Sequence, residues 1–221
     1  MDLVRIVRKV LAEPRMAWDT ARGLARGHYY RVKFKLLGRR VIIGRFFRVS
    51  GPLDIRGPGL VQFGDYCTVS SSRTRPTTPY THSPEAVITF GNRVMLTRTR
   101  LGCETRIDVG DDAGLAEAWI MDSDFHAVEL NDGPRYNTRG RSKPVRIGPN
   151  AWIGAGSMVL KGVTIGANSV VGAGAVVATS VPANVVVFGN PARVVWRLRA
   201  PKTDGSTGSV AGPTQDDPVR R

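Results

Sequence analysis

Three histidines, His28, His82 and His126, are the side chains best suited to moving a proton near neutral pH, because an imidazole titrates at about 6.5. His28 sits in a basic amino-terminal segment and His82 in a proline-rich run. His126 is the informative one. It ends the stretch IMDSDFH, where an apolar segment gives way to a long polar run. Asp124, two residues earlier, falls on the same face of an extended chain and is placed to hold the second ring nitrogen, as carboxylates do in hydrolase triads. Asp122 is the alternative partner, and a structural role for Asp124 stands equally open. Cys67 and Cys103 lie in no Cys-x-x-Cys or Cys/His spacing, so the chain offers neither a metal site nor a redox pair, and nothing near either thiol activates it as an acyl carrier.

The elements that must position these residues are announced by a repeat. Counting in sixes from Ile147 gives Ile153, Val159, Ile165, Val171 and Val177, all aliphatic and without a slip. The residue after each is Gly148, Gly154, Leu160, Gly166, Gly172 and Ala178, and the residue four after each is Ala151, Ser157, Val163, Ser169, Ala175 and Val181. A period of six fits neither an amphipathic helix nor a strand. It does fit a coiled solenoid with inward aliphatics, and with glycine or small residues at corners that need positive φ or close backbone approach. Upstream the pattern is degraded: Ile43, Val49, Ile55 and Val61, then a two-residue slip to Phe63 and Val69, then Phe90 and Leu96, then Val109, Leu115 and Met121.

Two runs break the pattern, at 71–84 (SSRTRPTTPYTHSP) and at 127–144, and both are expected to be loops leaving the stack; insertions in repeat proteins collect on the functional face. The formal net charge is +14, and residues 1–50 hold thirteen Lys+Arg against three Asp+Glu, so +10 of it is amino-terminal. Residues 2–12 read as a short amphipathic helix interrupted by Pro14, and a second helical stretch is expected to stop at Gly27. Together residues 1–40 form a basic helical segment, either capping the solenoid or touching an anionic membrane surface. No nucleic-acid reading module is present. No apolar run reaches the length of a membrane span and no secretory leader is evident, which points to the cytoplasm. The tail, 199–221, is polar, Gly/Pro-rich and expected to be disordered.

At this point the chain resembles a known family. IMDSDFHAVEL, the hexads VRIGPNAWIGAGSMVLKGVTIGANSVVGAGAVV and the closing VPANVVVFGNPARVV are similar to the hexapeptide-repeat acetyltransferases, in the branch that acetylates galactosides, maltose, Nod factors and exopolysaccharides. The resemblance implies an all-β fold, a left-handed parallel β-helix over residues 41–198 with three hexads per turn, and a homotrimer whose sites lie between protomers. It implies acetyl-CoA as acyl donor without a metal, His126 as general base, and O-acetylation of a sugar or glycan; the basic amino terminus suggests that the acceptor is lipid-linked or polymeric and handled at the inner face of the membrane. The matching donor-site residues are Trp152, Gly154, Ala155, Ala173, Thr179 and Arg193. Where relatives often carry Thr-Lys after the last coil this chain has Ala178-Thr179, and Lys161 or Arg197 is the candidate replacement cation. Rival readings are N-acylation of an amine, a non-catalytic β-helix scaffold, and a zinc-binding anhydrase of the same coil, for which three widely spaced histidines are poor ligands.

Overall fold

The computed structural model describes residues 14–128, 134, 138 and 140–199. One helix, α1 (Pro14–Leu36), is followed by short strands that wind around three faces. The first face carries β1 (Val41–Ile43), β3 (Leu60–Phe63), β6 (Val87–Phe90), β9 (Arg106–Val109), β12 (Val145–Ile147) and β15 (Thr164–Ile165). The second carries β2 (Arg48–Ser50), β4 (Thr68–Ser70), β7 (Met95–Thr97), β10 (Gly114–Ala116), β13 (Trp152–Ile153), β16 (Val170–Val171) and β18 (Val185–Phe188), ending in the antiparallel β19 (Arg193–Arg197). The third carries β5 (Thr78–Thr81), β8 (Arg100–Cys103), β11 (Trp119–Met121), β14 (Met158–Val159) and β17 (Val176–Val177). Each strand pairs in parallel with its counterpart one coil away, which makes the molecule a three-sided parallel β-helix.

The register explains the hexads. Arg146 pairs with Thr164, Trp152 with Val170 and Met158 with Val176, each an offset of 18 residues, or three hexads. The inward ladder Ile147, Ile153, Val159, Ile165, Val171 and Val177 is buried. Earlier coils are longer: Val61 pairs with Val41, an offset of 20, and Leu115 with Leu96, an offset of 19, which produces the slips upstream. One step is five residues rather than six, so Ile120 and not Met121 fills the core after Leu115.

The corners divide their two requirements between two positions. Positive φ falls at Asn150, Gly156, Gly162, Asn168 and Gly174, three residues after each inward aliphatic from Ile147 to Val171. The glycines directly after the aliphatics serve close approach instead: a Cβ on Gly148 would stand 2.7 Å from the Ala167 nitrogen of the next coil. Along one corner Asn150 Nδ2 donates to Asn168 Oδ1 (3.0 Å) and Asn168 Nδ2 to Asn184 Oδ1 (2.8 Å).

Two expectations are corrected. Gly27 does not stop α1, which begins at Pro14 and runs to Leu36. Gly27 is instead a contact point, because a Cβ there would lie 1.9 Å from the carbonyl oxygen of Phe47. With Gly23, Tyr30 and Phe34 it buries one helix face on the first coil, and the Tyr30 hydroxyl accepts the Leu53 N–H at 3.0 Å. The helix therefore covers the open end of the core, where Phe47, Phe63 and Phe90 stack at 4.9 and 4.7 Å. The run 71–84 is not wholly a loop either, since Thr78–Thr81 is β5. The helix expected at 2–12, the tail from 200, and Arg135, Tyr136 and Arg139 of the second excursion lie outside the described residues.

Candidate functional site

His126 is carried on the stem of the excursion that leaves the stack after β11. The first residue out, Asp122, is fully buried, and its carboxylate accepts the backbone N–H of Glu104, Thr105 and Arg106 (each 2.7 Å) and the Thr105 hydroxyl (2.9 Å). Four donors on one buried carboxylate pin the start of the excursion to the turn between β8 and β9. Asp122 is therefore an anchor, not a partner for the histidine. From there the two limbs pair: Ser123 bridges Ser142, Asp124 N–H donates to Arg141 C=O at 3.1 Å, and Ala127 N–H donates to Thr138 C=O at 3.0 Å. Gly140 lets the limbs close, because a Cβ there would stand 2.7 Å from the His126 carbonyl oxygen.

On this stem His126 is exposed to solvent, and its N–H donates to the Asp124 carbonyl at 2.7 Å. The Asp124 carboxylate is taken by Lys161 (Nζ to Oδ1, 2.6 Å), which projects from the turn between β14 and β15. This pair ties the stem to the following coil. It also engages Lys161, one of the two cations expected to replace the missing lysine at the donor phosphates.

On the outer side of the third face lies a cavity of about 420 Å³, which the stem reaches through Phe125; His126 is not among its lining residues. Its floor includes Leu101 and Gly102, and the Phe125 ring rests on Gly102, where a Cβ would stand 2.7 Å from Cζ. The His82 ring lies between Tyr80 (4.2 Å) and Phe125 (4.6 Å), and burial there lowers its pKa. Arg100 stacks over Trp119 at 5.0 Å. Aromatic faces with cations at their edges suit a polar ring that carries C–H surfaces, such as a sugar. No local pattern marks His82 in the sequence, since its neighbourhood with Phe125 is created by the stacking of β5, β8 and β11.

The residues expected at the donor occupy another edge. Trp152 projects from the second face, 42% exposed, and lies over Gly114, where a Cβ would meet its ring at 2.4 Å. Gly154 and Ala155 form the corner between the second and third faces, and Ala173 repeats it one coil later; Gly174 N–H donates to Ala155 C=O at 2.8 Å. Ala155 and Ala173 are exposed, so small residues leave a strip of backbone open beside the tryptophan. Thr179 is exposed after β17, and Arg193 is exposed at the start of β19 with Nη1 on its neighbour's carbonyl, Ala192 C=O, at 3.0 Å. Trp152, Gly154, Ala155 and Ala173 thus form one strip, with Thr179 and Arg193 towards the carboxy-terminal end. His126 and Asp124 stand at the corner between the third and first faces. Burial raises the pKa of both thiols, that of Cys67 to about 11, so neither is poised to react.

Residues 144–179 match the bacterial transferase hexapeptide description, with six repeats. These are hexapeptide-transferase repeats. Among curated relatives of the hexapeptide-repeat chain, a Mycobacterium tuberculosis protein named "Probable acetyltransferase" is 32% identical over 173 residues, covering 76% of this chain and 55% of the relative. Nodulation protein L of Rhizobium meliloti is 43% identical over 91 residues, 40% of this chain and 48% of the relative. The chain thus spans about half the length of these relatives. Among solved structures, a mutant of AntD, an N-acyltransferase from Bacillus cereus in complex with dTDP and coenzyme A, superposes with a TM-score of 0.60 at 20% identity, over 76% of this chain and 88% of that one. At that identity the likeness speaks for the β-helix alone.

Proposed function

We propose that this protein is an acetyl-CoA-dependent O-acetyltransferase acting on a hydroxyl of a sugar or glycan. The observation that carries the reading is His126, solvent-exposed on a pinned stem and next in sequence to Phe125, whose ring lines an aromatic cavity, in a chain whose residues 144–179 match the hexapeptide-transferase repeats. The acceptor ring lies against Tyr80, Phe125 and Trp119. The imidazole of His126 takes the proton of the acceptor hydroxyl as the oxygen attacks the thioester carbonyl. The C–S bond breaks, and the departing thiolate, whose conjugate acid has a pKa near 8.5, takes up the proton from the imidazolium. Charge and atoms balance within a ternary complex, and no covalent enzyme intermediate is needed.

The donor runs along the strip of Trp152, Gly154, Ala155 and Ala173, with Thr179 and Arg193 towards its phosphates; a guanidinium is well matched to that end. Asp124 acts as a positioning residue through the stem: its carboxylate is held by Lys161 rather than by the imidazole, and its main-chain carbonyl accepts the main-chain N–H of His126. Because His126 and the donor strip stand at different corners of one chain, the reading includes a homotrimer in which the base of one protomer faces the strip of the next. Acetyl-CoA supply places the reaction in the cytoplasm.

The test is free-thiol release from acetyl-CoA across sugars, sugar nucleotides and amines, with His126→Ala alongside. Hydroxyl-dependent release that the variant abolishes supports the reading. Release with amines alone transfers the same base to N-acylation. Absence of both release and any acetyl-CoA-dependent rise in Tm would leave a scaffold.

A further inference from the structure

Helix α1 has two apolar faces, and the fold uses only one. Gly23, Gly27, Tyr30 and Phe34 are buried on the first coil. Half a turn away, at spacings of four and three, run Pro14, Trp18, Ala21, Ala25, Tyr29, Val32 and Leu36, and the large members are open to solvent: Trp18 65%, Tyr29 58%, Val32 42% and Leu36 81% exposed. A helix end-cap needs the first stripe; nothing in the described residues covers the second.

The flanks of the second stripe are basic. The helix holds six Lys+Arg (Arg15, Arg22, Arg26, Arg31, Lys33, Lys35) against Asp19 alone. Arg22 and Arg26 border a polar groove of about 410 Å³ between the helix and β2 that Asp19 also lines, and among the described residues neither guanidinium is in an ion pair. An apolar line with Trp and Tyr in it, edged by long cationic side chains that can bury their stems and keep their heads in the headgroup layer, is the pattern of a helix lying in a bilayer interface. The charge selects an anionic leaflet, because each Lys or Arg close to such a surface is attracted to it. No helix among the described residues is long and apolar enough to cross a membrane, so the contact is peripheral.

We propose that the outward face of α1 docks the protein on an anionic lipid surface, with Trp18, Tyr29, Val32 and Leu36 inserted at the acyl boundary and Arg22 and Arg26 seating a lipid phosphate. This holds whether or not the catalytic reading stands, because its readout is binding rather than acetyl transfer. The experiment is cosedimentation of the full chain with phosphatidylcholine vesicles, with and without phosphatidylglycerol, at low and high salt. Three proteins are compared: the native chain, Trp18→Ser/Tyr29→Ser/Leu36→Ser, and Arg22→Gln/Arg26→Gln. All substituted side chains are exposed, and an unchanged circular dichroism melt shows that each variant is folded.

The native chain is expected to sediment with anionic vesicles only, to be released by salt, and to lose roughly tenfold or more in partitioning in the triple variant. The arginine pair is expected to lower both affinity and salt dependence. Equal binding by the triple variant overturns the proposal, as does binding to neutral vesicles alone or no binding at all. If light scattering shows the triple variant to be a smaller assembly than the native chain and neither binds vesicles, the stripe is a contact between copies and the proposal is overturned.

Discussion

Replacing Asp122 with asparagine tests whether the excursion is pinned as described. The native carboxylate uses Oδ1 for the Glu104 N–H and Oδ2 for the Thr105 N–H, the Thr105 hydroxyl and the Arg106 N–H. The better amide orientation puts its oxygen at the Oδ2 position and keeps three donors, but turns its NH₂ towards the Glu104 N–H. One buried donor is then orphaned, at about 1–3 kcal/mol, and the three remaining bonds lose their charge assistance, at roughly 0.5–1 kcal/mol each. The sum is about 2.5–6 kcal/mol, which for a chain of this size lowers Tm by roughly 10 °C. Thermal and urea melts followed by circular dichroism provide the stability figure, and steady-state acetyl transfer provides the second readout. With the stem loosened, kcat is expected to fall by about a hundredfold through misplacement of His126, while KM for acetyl-CoA holds, because the Trp152 strip is built on other coils. A variant that melts within about 2 °C of the native protein, or that keeps its kcat, would refute the anchoring role.

Gly27→Ala sets two effects against each other: alanine gains about 1 kcal/mol in helix propensity, yet its Cβ would lie 1.9 Å from the Phe47 carbonyl oxygen. The clash is with backbone and wins, so a net loss of about 1–2 kcal/mol in a urea melt is expected; a stabilised variant would mean that α1 does not seat there. Lys161→Met leaves the partly buried Asp124 carboxylate unpaired and is expected to lose about 1 kcal/mol of stability and roughly tenfold in kcat, with KM for the acceptor little changed. His82 has its pKa lowered from 6.5, by burial first and against the opposing charge of Asp122. The unfolded chain therefore binds that proton more readily, so the contribution of His82 is fully present above about pH 6.5 and is lost as pH falls towards the folded-state pKa. Tm should accordingly drop between pH 7 and pH 5 in the native protein, and less steeply in His82→Gln; parallel profiles would exclude this linkage.

The strict hexads after Ile147 were legible because period, inward ladder and coil length coincide there: with an offset of 18, every inward position recurs three hexads on. Upstream, coils of 19 and 20 residues let the period drift, so Met121 looked like a core position although Ile120 fills it. Composition alone did not separate the glycines required for close approach from the αL residues two positions later, because Gly and Asn both serve the latter. β5 was hidden by Pro79 and the prolines that flank the strand; Pro79 is tolerated because β5 is the edge strand of its sheet. At the site, the DSDFH signature revealed which histidine leaves the stack. The work of Asp122 was not legible, since its partners at 104–106 meet it only through the coil stacking, and the cavity wall of Tyr80, His82 and Phe125 was hidden for the same reason. Gly27 carried a stop signal in sequence and a contact in space.

The excursion between β11 and β12 adds length without disturbing the stack: Ile107 pairs with Val145 across it, an offset of 38 against the regular 18. Its two limbs are already joined at the base by the Ser123–Ser142 bridge, so the ends to be brought together are fixed before any further residue is considered. Loop closure grows only logarithmically, at about 0.6 kcal/mol per doubling. Residues between the limbs can therefore be inserted, deleted or exchanged at little expense to folding, while Asp122 and Lys161 keep the histidine in place. In evolutionary terms the stack is a chassis and the excursion a socket: the sequence between 128 and 138 can change while the stem and its anchors are inherited unchanged.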